Sequence, residues 1–300
     1  MSKAILVVGA TGKQGGAVVN ALLKANTNIQ ILAVTRDAKS TSAQKLQQKS
    51  SKIKLVTGDM KNVPGIFKTA KEATQLPIWG TFSVQVLFGP EEERQGKSMI
   101  DEAVKNDVKH FVYTSVDRGG DRSDEDPTIV PHFITKHNIE KHLYQKSQES
   151  GMTYTVLRPV AFMDNLTPNF FGKVFTTAWQ SSLGKTKKLQ LVATSDIGFF
   201  AAEAFLKPEE WKGRKISLAG DELTFDQAKS IFEKKTGKTL PTTFTFLTRI
   251  ILYMVKEFGL MYKWFGDVGY EADIQAVKTI NPRVKDFGTW LETESAWKSG

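Results

Sequence analysis

The 300-residue sequence contains no cysteine, which excludes disulfides, thiolate zinc sites, iron–sulfur clusters and a cysteine nucleophile. It also lacks a long apolar run. The run near the N-terminus has five residues before it meets glycine, and the apolar stretch 250–255 is flanked by Arg249, Lys256 and Glu257. Neither stretch is long enough to span a bilayer or to serve as a secretory signal. We therefore expect a soluble protein of the cytoplasm, with the nucleus as the alternative, and no membrane partner.

Acidic residues are scarce at the start of the chain. Residues 1–59 hold nine lysines and arginines against two aspartates, and the whole chain has a formal net charge of +9. A basic surface attracts nucleic acid, an anionic membrane or a phosphorylated small molecule. A nucleic-acid interface is expected to interleave basic with aromatic residues, and no basic block here does so. We therefore do not expect nucleic acid as a partner.

Short β-rich runs alternate with helical patterns through the first half of the chain. This alternation, with nearly continuous apolar strands, predicts a parallel sheet covered on both faces, which is a doubly wound, Rossmann-like α/β fold. After Pro159 the pattern changes to aromatic-rich helical segments. We expect a dinucleotide-binding domain over residues 1–158 and a smaller, mostly helical lobe over residues 159–300, from which a strand and a helix return to the sheet. The predicted strands are 4–8, 29–34, 53–57, 78–84, 111–115, 154–157 and 215–219, and the predicted helices are 15–25, 43–49, 63–73, 96–106, 132–150, 224–236 and 244–265.

Three glycines, Gly9, Gly12 and Gly15, follow the first predicted strand with the spacing G-x-x-G-x-x-G. One permits a tight turn, another lets the backbone approach a pyrophosphate, and the third lets the helix pack closely on the strand. The helix N-terminus then turns its free N–H groups and positive dipole end toward the phosphates. The motif therefore predicts a dinucleotide site, and an unliganded tight turn is the alternative.

The residue after the second predicted strand bears on the choice of cofactor. Arg36 lies 21 residues after Gly15. An acidic residue about 20 positions on binds the ribose 2′-OH of NAD, whereas an arginine accommodates the 2′-phosphate of NADP. The sequence therefore favours NADP(H) over NAD(H). Asp37 keeps the alternative open, because a shift of one residue would place its carboxylate at the ribose.

Motifs spread over nearly the whole chain resemble those of the NmrA-like family, which are atypical short-chain dehydrogenase/reductases. The segments that carry the resemblance are GATGKQG, VTRD, TGDM, FSVQ, HFVYTS, HFITKHNIE, LRPVAFMDN, SDIG and LAGDELTF. The resemblance implies a Rossmann fold that binds NAD(P).

The resemblance also implies which positions contact the cofactor, from the pyrophosphate at one end to the nicotinamide at the other. The implied residues are Gly9, Ala10, Thr11, Gly12, Lys13, Gln14 and Gly15 at the pyrophosphate, Thr35 and Arg36 at the adenosine phosphate, Asp59 and Met60 beside the adenine, Phe82, Ser83 and Val84 along the ribose and nicotinamide path, Lys136 at the nicotinamide ribose, and Pro159, Val160, Ala161, Phe162 and Asn165 beside the nicotinamide.

A typical short-chain dehydrogenase uses Tyr-x-x-x-Lys with an upstream serine, and the lysine lowers the pKa of the tyrosine. This chain has Ser115 and Lys136, but His132 stands where the tyrosine would be. Histidine is able to donate a proton near neutral pH, so His132 is either the acid of an altered mechanism or a residue that packs beside the cofactor. If the protein is an enzyme, His132, Lys136 and Ser115 are its catalytic candidates.

The sequence predicts no metal site. Three of the four histidines are spaced by five residues, which rotates them off a common helix face, and no carboxylate cluster completes a ligand set. The segment 117–126 carries seven charged residues and two glycines, which indicates either a mobile lid or an exposed loop without a role. Phe246, Ile250, Tyr253 and Met254 recur at helical spacing, which favours a core position over a substrate pocket or partner groove.

Two functions of different classes follow from these residues. The first is a sensor of NADP(H) that acts on a regulatory protein partner with little turnover, which the missing tyrosine favours. The second is an NADPH-dependent reductase of an apolar carbonyl, imine or enone, which Ser115, Lys136 and the aromatic second half favour. A nucleic-acid binder that uses the basic N-terminal half is a weaker third reading.

Overall fold

The computed structural model describes residues 3–85 and 90–298. The strands are β1 Lys3–Val7, β2 Ile29–Thr35, β3 Ile53–Thr57, β4 Ile78–Ser83, β5 His110–Thr114, β6 Thr153–Pro159, β7 Ala161–Phe162, β8 Leu189–Val192, β9 Lys215–Leu218 and β10 Asp221–Leu223. The helices are α1 Lys13–Lys24, α2 Thr41–Gln47, α3 Val63–Ala73, α4 Pro90–Lys105, α5 Pro131–Ser150, α6 Phe170–Leu183, α7 Thr194–Leu206, α8 Pro208–Trp211, α9 Phe225–Thr236, α10 Thr245–Met254, α11 Lys256–Asp267, α12 Ile274–Ile280 and α13 Phe287–Thr293, with short 3-10 helices at Gly120–Asp124 and Met163–Asn165.

Seven strands form the main sheet in the order β3-β2-β1-β4-β5-β6-β9. The pairs from β3 to β6 are all parallel. Ala4, Ile5, Leu6 and Val7 of the central strand β1 have no exposed surface, because helices cover both faces of a parallel sheet. The predicted doubly wound α/β fold is confirmed. The strand order reverses between β1 and β4, which is where such sheets bind ligands at the carboxyl ends of their strands.

The chain divides into two compact units, and each is assembled from separate segments. The first unit comprises Met1–Ser115, Thr135–Arg158 and Ser195–Ile216, and the second comprises Val116–Ile134, Pro159–Thr194 and Ser217–Gly300. One crossing between the units falls between Arg158 and Pro159. The other crossings show that the two units interleave along the sequence.

Local signals define most elements of the first unit. The predicted strands agree with β1 to β6 within two residues, and α1, α2, α3 and α5 agree equally well. Ser40 and Asn62 cap α2 and α3 by accepting hydrogen bonds from backbone N–H groups in the first turn. The prediction for α4 was wrong at its start, because this helix begins at Pro90, six residues before the predicted position 96. Proline suits the first turn of a helix, where its missing N–H costs nothing.

The second unit contains a three-stranded sheet in the order β10-β8-β7. Strand β10 is antiparallel to β8, and β7 is parallel to it. Its core is rich in aromatic side chains, including Trp179, Phe232 and Phe265. The helical stretch predicted over residues 244–265 is present as two helices, α10 and α11, which are separated by Val255 at φ −98° and ψ 80°.

Aromatic and apolar residues of α10 are exposed, contrary to the core position that we predicted for them. Phe246, Ile250, Tyr253 and Met254 are 65%, 48%, 86% and 76% exposed. The helix packs through its other side, where Thr248 is buried. Helical spacing identifies an apolar face, but it does not say whether another element covers that face.

The charged segment 117–126 is not an exposed loop at its start. Asp117 and Arg118 have no exposed surface. The Asp117 carboxylate accepts hydrogen bonds from the N–H groups of Gly119, Gly120 and Glu271 and from the hydroxyl of Ser217. Four donors compensate the burial of this charge, so the start of the segment is anchored in the second unit, while Asp121, Arg122, Glu125 and Asp126 are exposed.

We expect Phe265→Ala to lower the free energy of unfolding by about 3–5 kcal/mol, because it empties a buried aromatic site. Phe246→Ala removes the same atoms from an exposed position of the same unit and should change this free energy by about 0.5 kcal/mol or less. Urea unfolding of both variants and the parent measures the difference. Equal losses in the two variants would contradict the exposed position of α10.

Candidate functional site

A tight turn joins β1 to α1 at the switch point of the sheet. Gly9 has a φ of +65°, the left-handed region that favours glycine, and its carbonyl accepts the N–H of Gly12 at 2.8 Å. A Cβ added to Gly15 would lie 2.3 Å from the Gly9 carbonyl oxygen. The helix therefore approaches the turn so closely that only glycine fits at position 15.

The N-terminus of α1 is suited to an anion. Its N-cap residue is Gly12, which has no side chain to cap the first N–H groups, and its first turn contains Lys13 and no acidic residue. Ala10 is buried, whereas Thr11, Gly12 and Lys13 are exposed. The Gln14 amide oxygen accepts a hydrogen bond of 2.7 Å from Thr114 at the end of β5. These features fit a pyrophosphate, because backbone N–H groups and the helix dipole favour negative charge there.

Arg36 and Asp37, the two residues that bear on the choice of cofactor, follow β2 and have different surroundings. Thr35 is buried, and the side chain of Arg36 is exposed. The Asp37 carboxylate accepts the N–H of Lys39 at 2.8 Å. The carboxylate is therefore used within the turn that follows β2, and the guanidinium of Arg36 extends into solvent.

The residues implied at the adenine and along the cofactor path differ in accessibility. Asp59 is exposed and accepts the Lys61 N–H at 2.8 Å, while Met60 packs against the first unit's core. Phe82 and Ser83 have no exposed surface, so their side chains face the interior. Val84 is half-buried and lies over Gly9, because its Cγ1 is 2.9 Å from where a Cβ on that glycine would stand.

Lys136 of α5 forms a buried ion pair in the first unit. Its ammonium lies 3.0 Å from a carboxylate oxygen of Glu92 in α4, and the two side chains are 8% and 0% exposed. The ammonium also lies 5.8 Å from the ring centroid of Tyr113 on β5. Lys136 is thus held near the carboxyl end of a central strand.

Ser115 follows β5 and joins a second buried ion pair of the first unit. Its hydroxyl donates to Glu140 of α5. Arg158 donates to the same carboxylate from Nε at 3.2 Å and from Nη2 at 2.6 Å, and Tyr144 donates at 3.0 Å. The serine hydroxyl therefore stabilises a buried carboxylate in this structure.

His132 lies at the start of α5 and belongs to the second unit. Its Nδ1 lies 2.8 Å from Oε1 of Glu257 in α11, and the side chains are 7% and 17% exposed. The ring of Phe133 packs edge-on against His132, with the two centroids 4.6 Å apart. A carboxylate on one imidazole nitrogen fixes the orientation of the ring, which is the arrangement of a histidine acid–base pair.

The residues implied beside the nicotinamide form an edge of the second unit. Pro159, Val160 and Ala161 are buried, whereas Phe162 and Asn165 are half-buried. The Pro159 carbonyl accepts the N–H of Asp117 at 3.1 Å, and β7 continues this segment.

Burial shifts the pKa of three other side chains in the part of the chain that the structure describes. Burial raises the pKa of Tyr262 above its usual range, and its hydroxyl donates to the Phe175 carbonyl at 3.2 Å. Burial and the charge of Asp117 raise the pKa of Tyr270 as well. Burial lowers the pKa of His110 to about 4, so this imidazole is neutral between Thr153 and Thr155. Each of these groups keeps its neutral form near pH 7.

Sequence reasoning missed the acidic partners Glu92, Glu140 and Glu257. Glu140 lies one helical turn after Lys136, but this spacing suggests a pair between those two residues, whereas Glu140 accepts from Ser115 and Arg158. Glu92 is the middle of three consecutive glutamates, so the sequence does not single it out. Glu257 is more than 100 residues from His132, and only the tertiary structure joins them.

The model of the NmrA-like family matches residues 1–290, so the chain belongs to this family. One relative, the NmrA-like family domain-containing oxidoreductase hkm9 of Aspergillus hancockii, is 27% identical over 261 residues. The match covers 79% of this chain and 73% of that protein. The family that the motifs indicated is therefore confirmed.

Solved structures with low sequence identity share the fold. NmrA, a negative transcriptional regulator solved in complex with NADP, has a TM-score of 0.70 at 18% identity, covering 98% of this chain and 95% of that chain. The same regulator has also been solved in complex with NAD. The NADPH-dependent quinone oxidoreductase QOR2 of Escherichia coli, complexed with NADPH, has a TM-score of 0.72 at 19% identity, covering 96% and 97%. The Rossmann-like fold is confirmed.

In residues 3–85 and 90–298, no group of histidine, aspartate and glutamate side chains is arranged to hold a metal ion. Over the same residues, no helix has the length and apolar character needed to cross a membrane.

We expect Gly15→Ala to lower the free energy of unfolding by about 1–3 kcal/mol, because the methyl group would collide with the Gly9 carbonyl. The control is Gly16→Ala, where the added Cβ lies 3.3 Å from the Ala10 carbonyl oxygen. This change should cost less than Gly15→Ala, because the contact is 1.0 Å longer and alanine favours helix by about 1 kcal/mol over glycine. Chemical unfolding checks both values, and a Gly15 variant as stable as the parent would contradict the close approach.

Proposed function

We propose that this chain binds NADP(H) in the first unit and acts as a sensor of that cofactor with little turnover. The observation that carries the proposal is that Lys136 and Ser115, which match the lysine and serine of a typical short-chain dehydrogenase, each contact a buried carboxylate within the protein. Groups held in such pairs are suited to fixing the shape of a binding site. The compartment that we expect for this function is the cytoplasm.

The end of β2 supports NADP(H) over NAD(H). Arg36 is exposed and able to pair with a 2′-phosphate, whereas the Asp37 carboxylate is engaged by the Lys39 N–H. Charge-assisted hydrogen bonds from arginine to phosphate are strong, and NAD lacks this phosphate. The turn from Gly9 to Gly15 would hold the pyrophosphate, and Lys136 would contact the nicotinamide ribose.

A sensor also needs a surface that another molecule reads. The exposed face of α10, with Phe246, Ile250, Tyr253 and Met254, is the part of the second unit that we expect a regulatory protein to contact. Exposed apolar patches of this kind mark interaction sites in soluble proteins. An apolar small molecule bound there is the alternative.

The second candidate function is reduction of an apolar carbonyl, imine or enone. The pairing of His132 with Glu257 favours it, because the carboxylate orients the imidazole. The bound reduced cofactor would supply a hydride to the substrate carbon. His132 would supply the proton that completes the product, and Lys136 would hold the cofactor.

We expect the protein to bind NADPH more tightly than NADH, and Arg36→Ala to narrow that difference by roughly 10- to 150-fold, the equivalent of about 1.5–3 kcal/mol. Lys45→Ala is the control, since it removes an exposed positive charge from α2. Titration calorimetry with both cofactors measures the affinities. Equal affinities of the parent for NADPH and NADH would sink the assignment of Arg36.

For a sensor, we expect NADPH to be consumed no faster with the protein than in buffer, over a panel of carbonyls, enones and imines followed by absorbance. Robust turnover of any compound would favour the reductase instead. In that case the rate should fall in His132→Phe, which keeps an aromatic ring and removes the proton donor. Unchanged turnover in His132→Phe would exclude His132 as the acid. Calorimetry shows whether the variant still binds NADPH.

A further inference from the structure

Two neighbouring glutamates of α4 have very different surroundings. Glu92 pairs with Lys136 at 3.0 Å, with 0% and 8% of the side chains exposed. Glu91 pairs with Arg94 at 2.8 Å, with 58% and 49% exposed. The exposed pair contributes little, because water and salt screen it. The buried pair interacts in a low-dielectric environment, where a single charge influences its surroundings strongly.

Burial of an ion pair rarely increases stability over apolar residues of similar volume, because both ions lose their hydration. Stability alone therefore does not explain why Glu92 and Lys136 are buried together. Glu92 lies in the first turn of α4, where the positive end of the helix dipole stabilises a carboxylate. The carboxylate of Glu92 and the ammonium of Lys136 thus lie at fixed positions, and the net charge of the pair is zero.

The pair of Glu92 and Lys136 lies near the carboxyl end of β5. The Lys136 ammonium is 5.8 Å from the ring centroid of Tyr113, the penultimate residue of β5. The next residue, Thr114, donates to Gln14 at the start of α1. Both charges therefore belong to the part of the first unit that contains the glycine turn.

The oxidised and reduced forms of a nicotinamide cofactor differ in ring charge, since the oxidised ring is cationic and the reduced ring is neutral. A lone lysine ammonium near the ring would disfavour the oxidised form through like-charge repulsion. A buried carboxylate beside that ammonium cancels this repulsion.

We propose that Glu92 determines the relative affinity of the protein for NADP⁺ and NADPH. This inference rests on the proposed function, in which Lys136 contacts the nicotinamide ribose. It makes Glu92 a specificity-determining residue for the redox state of the cofactor, and it explains how the site would accept both forms. The ratio of the two affinities is the quantity that a sensor converts into a response.

The test is titration calorimetry of NADP⁺ and NADPH with the parent, Glu92→Gln and Glu91→Gln. Glu92→Gln keeps the shape of the side chain and removes its charge. We expect the ratio Kd(NADP⁺)/Kd(NADPH) to rise about tenfold in Glu92→Gln. The matched control Glu91→Gln makes the same change one residue away, in an exposed pair, and should leave the ratio within about twofold.

A second variant keeps the inference falsifiable if Glu92→Gln fails to fold. Lys136→Met removes the cation and leaves the carboxylate, so the ratio should change in the opposite direction. The double variant removes both charges and should return the ratio toward that of the parent. A structural role alone would weaken both affinities equally and leave the ratio unchanged.

The outcomes separate this inference from the function on which it rests. If the parent binds neither NADP⁺ nor NADPH, the proposed function fails. If the parent binds both and the ratio stays constant in Glu92→Gln and Lys136→Met, the role of Glu92 is wrong while the cofactor assignment stands. If the ratio of the two affinities shifted in the same direction in both variants, the proposed role of Glu92 would also be wrong.

Discussion

The contact between Gly15 and the carbonyl of Gly9 sets the position of α1 against β1. A methyl group at Gly15 would stand 2.3 Å from that oxygen, so the spacing depends on a missing side chain. A second glycine acts from α7, because a Cβ on Gly198 would lie 2.5 Å from the backbone of Ala17 in α1. With α1 held closely at both places, its first N–H groups and Gln14 are directed to the carboxyl ends of the strands.

Contacts with acidic residues fix the position of α5. Lys136 pairs with Glu92 of α4, while Glu140 of the same helix accepts from Ser115 and Arg158. Each buried charge loses hydration that only a well-placed partner compensates, so a change in one member affects the others. Lys136 and Ser115 are thus engaged in the internal structure of the first unit.

The sequence predicted the features that depend on short stretches of chain. Strands β1 to β6 follow from apolar runs, and the glycine turn follows from three residues before a helix. Contacts between distant parts of the chain could not be predicted in this way. The sequence does not indicate that Glu257 contacts His132, or that Phe246 is largely exposed. The short strands β7, β8 and β10 were also missed, since two to four residues carry little periodicity. The hydrogen bond between the Asp37 carboxylate and the Lys39 N–H also needed the structure.

The interleaving of the two units has a consequence for synthesis on the ribosome. Residues Ser195–Ile216 belong to the first unit, so its last helices emerge long after α1, which begins at Lys13. At about 5–20 residues per second, roughly 10 to 40 seconds pass between the appearance of Ala17 and that of Gly198. During that interval the surface of α1 that faces α7 in the folded protein is uncovered. A nascent chain of this protein therefore carries an incomplete first unit until α7 has been synthesised.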